Sequence, residues 1–189
     1  MKLHLIRHGE TDWNSEGRIQ GWIDVGLNHA GRVQARETAR SLSGDTSYQL
    51  VSSPLRRARE TADIIAEHTD VKEYRLRPEF RELNQGHWNG LRGSWLLKTN
   101  SNRYQQWVDS PTTVKPPGGE SLKEVRRRVK NGLEFLATNV KSPCLLVAHK
   151  VVNSLVVHLL NDTPLESVLS TLAGNAEVEE LTFERDSID

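Results

Sequence analysis

An apolar stretch near the start of the chain, KLHLI, is followed by four residues of a different kind: Arg7, His8, Gly9 and Glu10. Folding alone does not require such a cluster, because charged groups are costly to bury. A neutral imidazole can attack phosphorus and form a covalent intermediate. The guanidinium fork of an arginine matches the geometry of a phosphate. These residue types therefore predict the binding and transfer of a phosphoryl group.

Two further apolar stretches lead into residues of the same kind. YQLVSS is followed by Arg56, Arg57 and Arg59, and CLLVAH ends at His149, which is followed by Lys150. Helix N-termini favour anions, and two arginines with a protonated histidine can balance a phosphate dianion. We expect the cations that follow these apolar stretches to gather around one phosphoryl group, with His149 protonated. Arg56 and Arg59 are expected to remain at the surface.

Cleavage of a phosphomonoester at such a cluster needs three parts. His8 would take the phosphoryl group and later pass it to water. The cations Arg7, Arg57 and His149 would stabilise the phosphoryl oxygens without a metal. The departing alkoxide needs a proton, and Glu82 in FRELNQGHWNGL is the candidate acid.

Signatures of other chemistries are missing from the sequence. It contains no nucleotide-binding loop of either common glycine-rich pattern, no G-x-S-x-G nucleophile elbow, and no H-E-x-x-H or paired cysteines. His8 and His149 stand beside Arg7 and Lys150, which is a poor setting for a metal cation. We therefore expect no metal and no cofactor.

Composition narrows the partners. The 189 residues carry 25 Lys+Arg and 25 Asp+Glu, so the formal net charge is zero, which argues against nucleic-acid or membrane-surface binding by bulk charge. The only cysteine, Cys144, lies in an apolar run and is predicted to be a core residue. MKLHLIRHGE is too short and charged for a signal peptide, and CLLVAHKVVNSLVVHLL is too polar to span a bilayer. We expect a cytoplasmic enzyme or binding protein.

Strand and helix patterns alternate along the chain. The predicted strands are KLHLI, YQLVSS, EYRLRP, CLLVAH and AEVEELTF. The predicted helices are LNHAGRVQARETARSL, SPLRRARETADIIAEHT, SLKEVRRRVKNGLEFLATNV and VVNSLVVHLLN, with Asn28, Ser53 and Ser121 as N-caps. This alternation predicts an α/β fold: a three-layer sandwich with a mostly parallel central sheet flanked by helices. Ligands of such sheets bind at the carboxyl ends of the strands, where the clusters above lie.

The chain is predicted to form one domain, residues 1–189, with a small helical lid insertion at about 84–120. The insertion holds three of the five tryptophans and ends in Pro-Pro-Gly-Gly. We expect Trp95 and Trp107 to be exposed, and either to close the lid or to form a homodimer contact. The arginine run 126–128 is expected to lie on a solvated helix face.

The segment LIRHGETDWNSEGRIQGWIDVGLNHAG resembles the opening of the histidine phosphatase superfamily, in its phosphoglycerate-mutase-like branch. The resemblance continues in the expected order through SSPLRRARETA, FRELNQGHWNGL, PPGGESL and LLVAH. It implies the phosphoglycerate-mutase-like fold and metal-independent hydrolysis through a phosphohistidine. It also implies that His8 is the nucleophile and that Glu82 is the general acid. The residues implied to bind the phosphoryl group are Arg7, Arg57, His149 and Asn14.

Three positions are further candidates for substrate contacts. Lys150 stands where many family members have glycine, and its side chain either points to solvent or adds a charge to the pocket. His87 stands where the family often has an acid, and we expect it to line the leaving-group pocket. Gln20, in GRIQGW, is the third candidate.

The resemblance leaves the activity open between three classes. The phosphatases and mutases of the family share these residues, and the shorter length of this chain favours a phosphatase. The GRIQGWIDVGLN segment is close to the mutase pattern, so a phosphoglycerate mutase is the alternative. A non-catalytic phosphate-binding regulator is a third class. The candidate substrates are phosphoserine, a sugar or sugar-acid phosphate, α-ribazole phosphate and phosphoglycerates.

Overall fold

A five-stranded sheet forms the centre of the computed structural model, which describes residues 1–99, 101–140, 143–169 and 174–184. Position 100 of the predicted insertion and positions 141–142, 170–173 and 185–189 of the predicted domain lie outside the described residues. The strands are β1 (Lys2–Arg7), β2 (Ser47–Ser52), β3 (Asp70–Leu76), β4 (Cys144–Ala148) and β5 (Val178–Thr182). Their order is β3-β2-β4-β1-β5, and β5 alone among these five runs antiparallel to its neighbour. The predicted mostly parallel sheet is confirmed.

Helices cover both faces of this sheet. The α-helices are α1 (Asp12–Ser15), α2 (His29–Leu42), α3 (Arg56–His68), α4 (Gly93–Thr99), α5 (Ser101–Asp109), α6 (Leu122–Asn139) and α7 (Lys150–Asn161). Short 3₁₀ turns occupy Pro78–Phe80, Gly86–Trp88 and Leu165–Leu169. Alternate strand residues point to opposite faces: Ile6 packs with α2 and α3, whereas Leu5 packs with α6 and α7. The predicted three-layer arrangement is therefore confirmed.

The most apolar part of the sequence forms β4 and α7. All five residues of β4 are buried, because helices cover both faces of the sheet at its centre. Cys144 is a core residue, as predicted, and burial raises the pKa of its thiol to about 12. Among the described residues, no helix combines the length and the apolar character that a membrane crossing needs.

Two of the three predicted helix caps are confirmed. The Asn28 side chain accepts a hydrogen bond from the Gly31 amide at 2.8 Å, and Ser121 forms a capping box with Glu124. The prediction for Ser53 is wrong, because α3 begins later, after Leu55, and has no side-chain cap. The Ser53 hydroxyl is instead part of the site described below.

The predicted insertion is helical, but its tryptophans differ from one another. Trp107 is only 4% exposed and lies in the core beside Trp88, so its predicted exposure is wrong. Trp95 is 50% exposed, as expected. The solvated face predicted for the arginine run is right for Arg127, which is exposed, but wrong for Arg128, whose side chain is only 18% exposed.

Candidate active site

Parallel pairing of β1, β4 and β2 brings three strand ends to one edge of the sheet. Arg7 is in register with Ala148 on β4, and Ser52 is in register with Val147. The residues that follow therefore meet in space, and the ring centroids of His8 and His149 are 5.2 Å apart. The clusters identified in the sequence gather because a parallel sheet collects its carboxyl ends at one edge.

The hydrogen bonds of His8 define which ring nitrogen can react. Its Nδ1 lies 2.7 Å from the Gly9 carbonyl oxygen, and a carbonyl can only accept, so Nδ1 carries the proton and donates. Nε2 then keeps its lone pair. Burial, followed by the charge of Arg57, lowers the pKa of His8 well below its usual value. A neutral imidazole with an unprotonated Nε2 is the form that a histidine nucleophile needs.

Arg57 is held beside that nitrogen. Its Nε lies 3.3 Å from His8 Nε2, and its terminal nitrogens donate to the carbonyls of Ile23 (3.0 Å) and Gly21 (2.8 Å). Each terminal nitrogen has two N–H groups, so one on each is left for an anion. Burial lowers the pKa of Arg57 to about 10, so the group stays a cation at neutral pH. The guanidinium is therefore a rigid anion site next to the nucleophile.

His149 is oriented by Ser53, a partner that the sequence analysis did not assign to it. His149 Nε2 lies 2.8 Å from Ser53 Oγ, and its Nδ1 is buried with no hydrogen-bond partner in the described part of the chain. Burial, then Arg57 and His8, lower the pKa of His149 well below its usual value. The unliganded pocket therefore favours a neutral ring, and the protonated form predicted for the complex with a phosphoryl group stays a prediction. A bound phosphate dianion would raise this pKa, because an opposite charge favours the cation.

Glu82 lies across the cavity at the start of α7. One carboxylate oxygen accepts from the Leu83 amide at 2.8 Å, and the other is 3.5 Å from the Val151 amide. The backbone carbonyl of Glu82 accepts from Trp22 Nε1 at 2.6 Å. Both ends of the residue are thus held, and its carboxyl group lines the same cavity as His8.

His8, Arg57 and Glu82 border a cavity of about 810 Å³, whereas His149 is fully buried and does not line it. The predicted site residues that line it are Arg7, His8, Asn14, Gln20, Arg57, Glu82 and Lys150. Asn14 accepts from the Thr11 amide and hydroxyl through its side-chain oxygen, which leaves its amide N–H groups for a ligand. Lys150 has an exposed side chain that also lines the cavity, and burial of part of it lowers its pKa.

His87 is not part of this site. Its side chain is exposed, it does not line the cavity, and its ring lies against Gly118. Its backbone amide donates to the Pro117 carbonyl at 2.9 Å. The prediction that His87 lines the leaving-group pocket is therefore wrong, because the 3₁₀ turn turns this residue towards the far end of the insertion.

Three polar residues that support the His8 loop were not predicted as site residues. The Thr61 hydroxyl accepts from the Gly9 amide at 3.0 Å, and the Asn175 amide group donates to the His8 carbonyl at 2.9 Å. Ser53 is the third, through His149. Of the three, only Thr61 had a sequence feature that could have indicated its role: it lies one helical turn after Arg57 on α3, on the same face of the helix.

The glycine that follows His8 is explained by a close approach of two backbones. A Cβ on Gly9 would lie 2.5 Å from the Gly31 carbonyl oxygen, and a Cβ on Gly31 would lie 2.1 Å from the Glu10 carbonyl oxygen. Neither backbone can yield to a side chain. The start of α2 is thus pressed against the loop that carries the nucleophile.

The comparisons with known proteins agree with this geometry. Phosphoserine phosphatase 1 of Hydrogenobacter thermophilus is 38% identical over 137 residues, covering 71% of this chain and 63% of that protein. Phosphoglycerate mutase-like protein 4 of Arabidopsis thaliana is 38% identical over 148 residues, covering 77% and 64%. The chain therefore spans slightly less than two thirds of each of these relatives. A solved structure of mycobacterial glucosyl-3-phosphoglycerate phosphatase with VO3 has a TM-score of 0.86 at 30% identity, covering 96% and 92%.

The family itself is settled by a match that spans almost the entire sequence. Residues 3–189 match the family model of the histidine phosphatase superfamily (branch 1). The residues that the sequence analysis connected with that family, His8 above all, lie at the strand ends described above. The chain belongs to the histidine phosphatase superfamily, branch 1.

Proposed function

We propose that this protein is a metal-independent phosphomonoesterase that acts on a small phosphorylated metabolite through a phosphohistidine at position 8. The observation that carries the proposal is the state of His8: Nδ1 is engaged by the Gly9 carbonyl, and Nε2 is unprotonated beside the Arg57 guanidinium. Such a nitrogen can attack phosphorus while the guanidinium takes up the charge on the oxygens.

In the first step, His8 Nε2 attacks the phosphorus atom and the bond to the leaving oxygen breaks. The carboxylic acid of Glu82 gives its proton to that oxygen, so an alcohol departs. Arg7, Arg57 and His149 hold the three remaining oxygens, and His149 becomes protonated as the dianion binds. The Asn14 amide, Gln20 and Lys150 complete the contacts to the substrate.

In the second step, the carboxylate of Glu82 takes a proton from water, and the resulting hydroxide attacks phosphorus. The bond between nitrogen and phosphorus breaks, the electron pair returns to His8 Nε2, and inorganic phosphate leaves. Glu82 is protonated again, so it serves as acid and base in turn. Positioning and charge stabilisation are the main requirements of phosphoryl transfer, and the described residues supply both.

The substrate is proposed to be a phosphorylated hydroxy acid, amino acid or sugar acid, with α-ribazole phosphate as a further candidate. The names of two relatives support this class, since one is a phosphoserine phosphatase and one a glucosyl-3-phosphoglycerate phosphatase. Lys150 supports it as well, because an ammonium at the cavity suits a second acidic group on the substrate.

A phosphoglycerate mutase is the second candidate function. It is favoured by the relative named phosphoglycerate mutase-like protein 4 and by the GRIQGWIDVGLN segment, part of which lines the cavity. A mutase would have to keep water away from the phosphohistidine. A non-catalytic phosphate-binding regulator is the third class, and the complete set of His8, Arg57 and Glu82 speaks against it.

One set of assays distinguishes the three classes. Purified protein is given p-nitrophenyl phosphate, phosphoserine and 3-phosphoglycerate, with and without a bisphosphoglycerate primer and a chelator. Phosphate release that the chelator does not reduce supports the phosphatase, and primer-dependent isomerisation supports the mutase. Retention of phosphate without turnover supports the regulator. Labelled substrate quenched in alkali, which preserves phosphohistidine, must place label on His8, and a phosphatase without that adduct would overturn the mechanism.

The remaining parts of the proposal concern the setting of the enzyme. We propose that it works in the cytoplasm as one domain, without a nucleic-acid or membrane partner, and that residues 84–120 close over the substrate. The zero net charge supports the absence of a nucleic-acid or membrane-surface partner. The cavity-lining position of Tyr104 and Trp107 supports closure of residues 84–120 over the substrate. Trp95, half exposed, is the proposed contact of a homodimer. Light scattering of the wild type and Trp95→Ala tests this contact.

A further inference from the structure

Arg128, on α6, uses every donor that its guanidinium has. Nε donates to one carboxylate oxygen of Glu120 and Nη2 to the other, both at 3.0 Å. Nη1 donates to the carbonyls of Glu79 (2.7 Å) and Arg81 (2.5 Å), and Nη2 also donates to the carbonyl of Glu82 (2.9 Å). Arginine has five N–H groups, so none is left over. This side chain does not line the cavity, and the mechanism above does not use it.

Three of those five bonds end on one short segment. The carbonyls of Glu79, Arg81 and Glu82 converge on a single cation, so the backbone bends around it. The Glu82 carbonyl is shared with Trp22 Nε1, and the Arg81 guanidinium lies 4.4 Å from the Trp22 ring centroid. The backbone atoms from which the Glu82 carboxyl group extends are therefore fixed from two sides.

The other two bonds tie the same cation to the insertion. Glu120, which closes the insertion, accepts from the Asn84 amide at 2.8 Å through its side chain, and its own amide donates to the Asn84 carbonyl at 2.9 Å. The two ends of the insertion are thus joined to each other. Since Glu120 also pairs with Arg128, one group connects the Glu82 segment to both ends.

Stability alone is a poor reason for this arrangement. A partly buried ion pair gives little net stability, because desolvation of the charges offsets their attraction, and an apolar residue often serves as well. What a planar group with five fixed donors gives is geometry. An acid that must reach the leaving oxygen is sensitive to such geometry, since a displacement of about 1 Å can cost about 100-fold in rate.

We propose that Arg128 is a positioning residue for Glu82: it sets the place of the acid through three backbone carbonyls and joins it to the insertion through Glu120. The inference rests on the proposed role of Glu82 and goes beyond it, because Arg128 touches no substrate. Its removal should impair proton delivery to the leaving group and leave the phosphoryl site of His8 and Arg57 intact.

The test compares two leaving groups in Arg128→Gln. With an alkyl phosphate, whose alkoxide needs a proton, kcat/KM should fall by up to about 100-fold. With p-nitrophenyl phosphate, whose leaving group needs little protonation, it should fall by less than about threefold. Affinity for inorganic phosphate, measured by calorimetry, should not fall, because the Arg128 charge is one of those that lower the pKa of His149 and so oppose its protonated form. The matched control is Arg127→Gln, the exposed neighbour on the same helix, which should leave both substrates unaffected.

A double-mutant cycle completes the test. In a Glu82→Gln background, Arg128→Gln should cost nothing more on the alkyl substrate, because the group that it positions is already lost. An equal loss on both substrates, or a full additional loss in that background, would overturn the role of Arg128. If Glu82→Gln itself loses equally on both substrates, the proposed acid fails instead. If Arg128→Gln does not fold, Arg128→Lys, which keeps the charge but not the five donors, should show the same split between substrates.

Discussion

The two histidines of the site are both buried, and each makes a hydrogen bond through one ring nitrogen to a nearby protein oxygen. His8 donates Nδ1–H to the Gly9 carbonyl, and His149 engages the Ser53 hydroxyl through Nε2. Burial and the nearby guanidinium of Arg57 lower the pKa of both rings. The unliganded pocket therefore holds two neutral rings, and the charge that phosphate meets first comes from arginine.

Replacing His8 tests the nucleophile directly. His8→Ala should lower kcat by about 10⁴-fold or more, because the substitution removes the nitrogen that takes up the phosphoryl group in the proposed mechanism. The fold should persist, as judged by circular dichroism and the thermal midpoint. His29→Ala is the control, since His29 is exposed and does not line the cavity. A His8→Ala protein with near-normal turnover would show that phosphorus is not transferred through this ring.

The lowered pKa values of His8 and His149 have a consequence for stability. As pH falls through about 6.5, the unfolded chain takes up protons on these rings and the folded protein does not, so the free energy of unfolding falls. These two groups give a slope of up to about 2.7 kcal/mol per pH unit below about pH 6.5, and His4, whose pKa burial also lowers, adds to it. Urea denaturation from about pH 7.5 down to about pH 5 measures this slope. A folded His8→Asn variant should show a slope smaller by up to about 1.4 kcal/mol per pH unit, and a flat profile in the wild type would contradict the burial of neutral rings.

At the scale of elements, the site depends on how closely α2 approaches the loop after β1. Asn28 caps α2 through the Gly31 amide, and the same asparagine donates to the Glu10 carboxylate at 2.8 Å. Gly9 and Gly31 allow the two backbones to touch. The packing of the α2 N-terminus against this loop therefore limits the positions that His8 can take.

Substitution of Gly31 should disrupt the packing of the α2 N-terminus against the loop that carries His8. Gly31→Ala places a methyl group 2.1 Å from the Glu10 carbonyl oxygen, so the backbone must shift, at a cost of about 3 kcal/mol in the free energy of unfolding. Turnover should fall with it, because the His8 loop moves. The comparison is Gly17→Ala: its φ is +65°, but no atom crowds the new methyl, so the cost should be about 1 kcal/mol. Equal costs in urea denaturation would contradict the packing argument.

Strands and helices were predictable because their patterns are local. β4 is apolar throughout since both of its faces are covered, and α6 shows its buried side at helical spacing. The strand ends were predictable as a site because parallel pairing must bring them to one edge.

Residues whose place depends on distant partners were not predictable. Ser53 has the character of a helix cap, yet its hydroxyl lies against His149, 96 residues away. Arg128 stands between exposed and buried positions of α6, and only the fold brings the Glu79 carbonyl to it. His87 follows the course of its turn and leaves the cavity. The charge of His149 depends on its burial by several elements of the fold, which the sequence around position 149 does not indicate.

At the scale of the molecule, zero net charge coexists with a local excess of cations. Four cations line one cavity with three acidic residues, so the excess there is a single positive charge; the cations are Arg7, Arg18, Arg57 and Lys150, and the acids are Glu82, Asp109 and Glu166. The insertion contributes aromatic side chains to both the cavity and the core: Trp107 lines the cavity and also packs within the core. Its packing indicates that it folds together with the sheet.

The tryptophans of the insertion test whether the chain unfolds as one unit. Trp107→Ala should lower the free energy of unfolding by about 3 kcal/mol or more, because it empties a buried space beside Trp88. At a concentration at which the protein is monomeric, Trp95→Ala should change it by less than about 0.5 kcal/mol, since Trp95 is half exposed. Denaturation followed by far-ultraviolet circular dichroism and by fluorescence should give coincident single transitions. Two separate transitions would show that the insertion is an independent unit.

The position of β1 between β4 and β5 bears on when the proposed activity can arise during synthesis. The strand that carries His8 is translated before both of its neighbours, Cys144–Ala148 and Val178–Thr182, and Asn175 supplies a bond to the His8 carbonyl. The surroundings of the nucleophile are therefore incomplete until these later segments have emerged. Nascent chains stalled before residue 144 has emerged should show no turnover, so the proposed hydrolysis would begin only after these segments have been made.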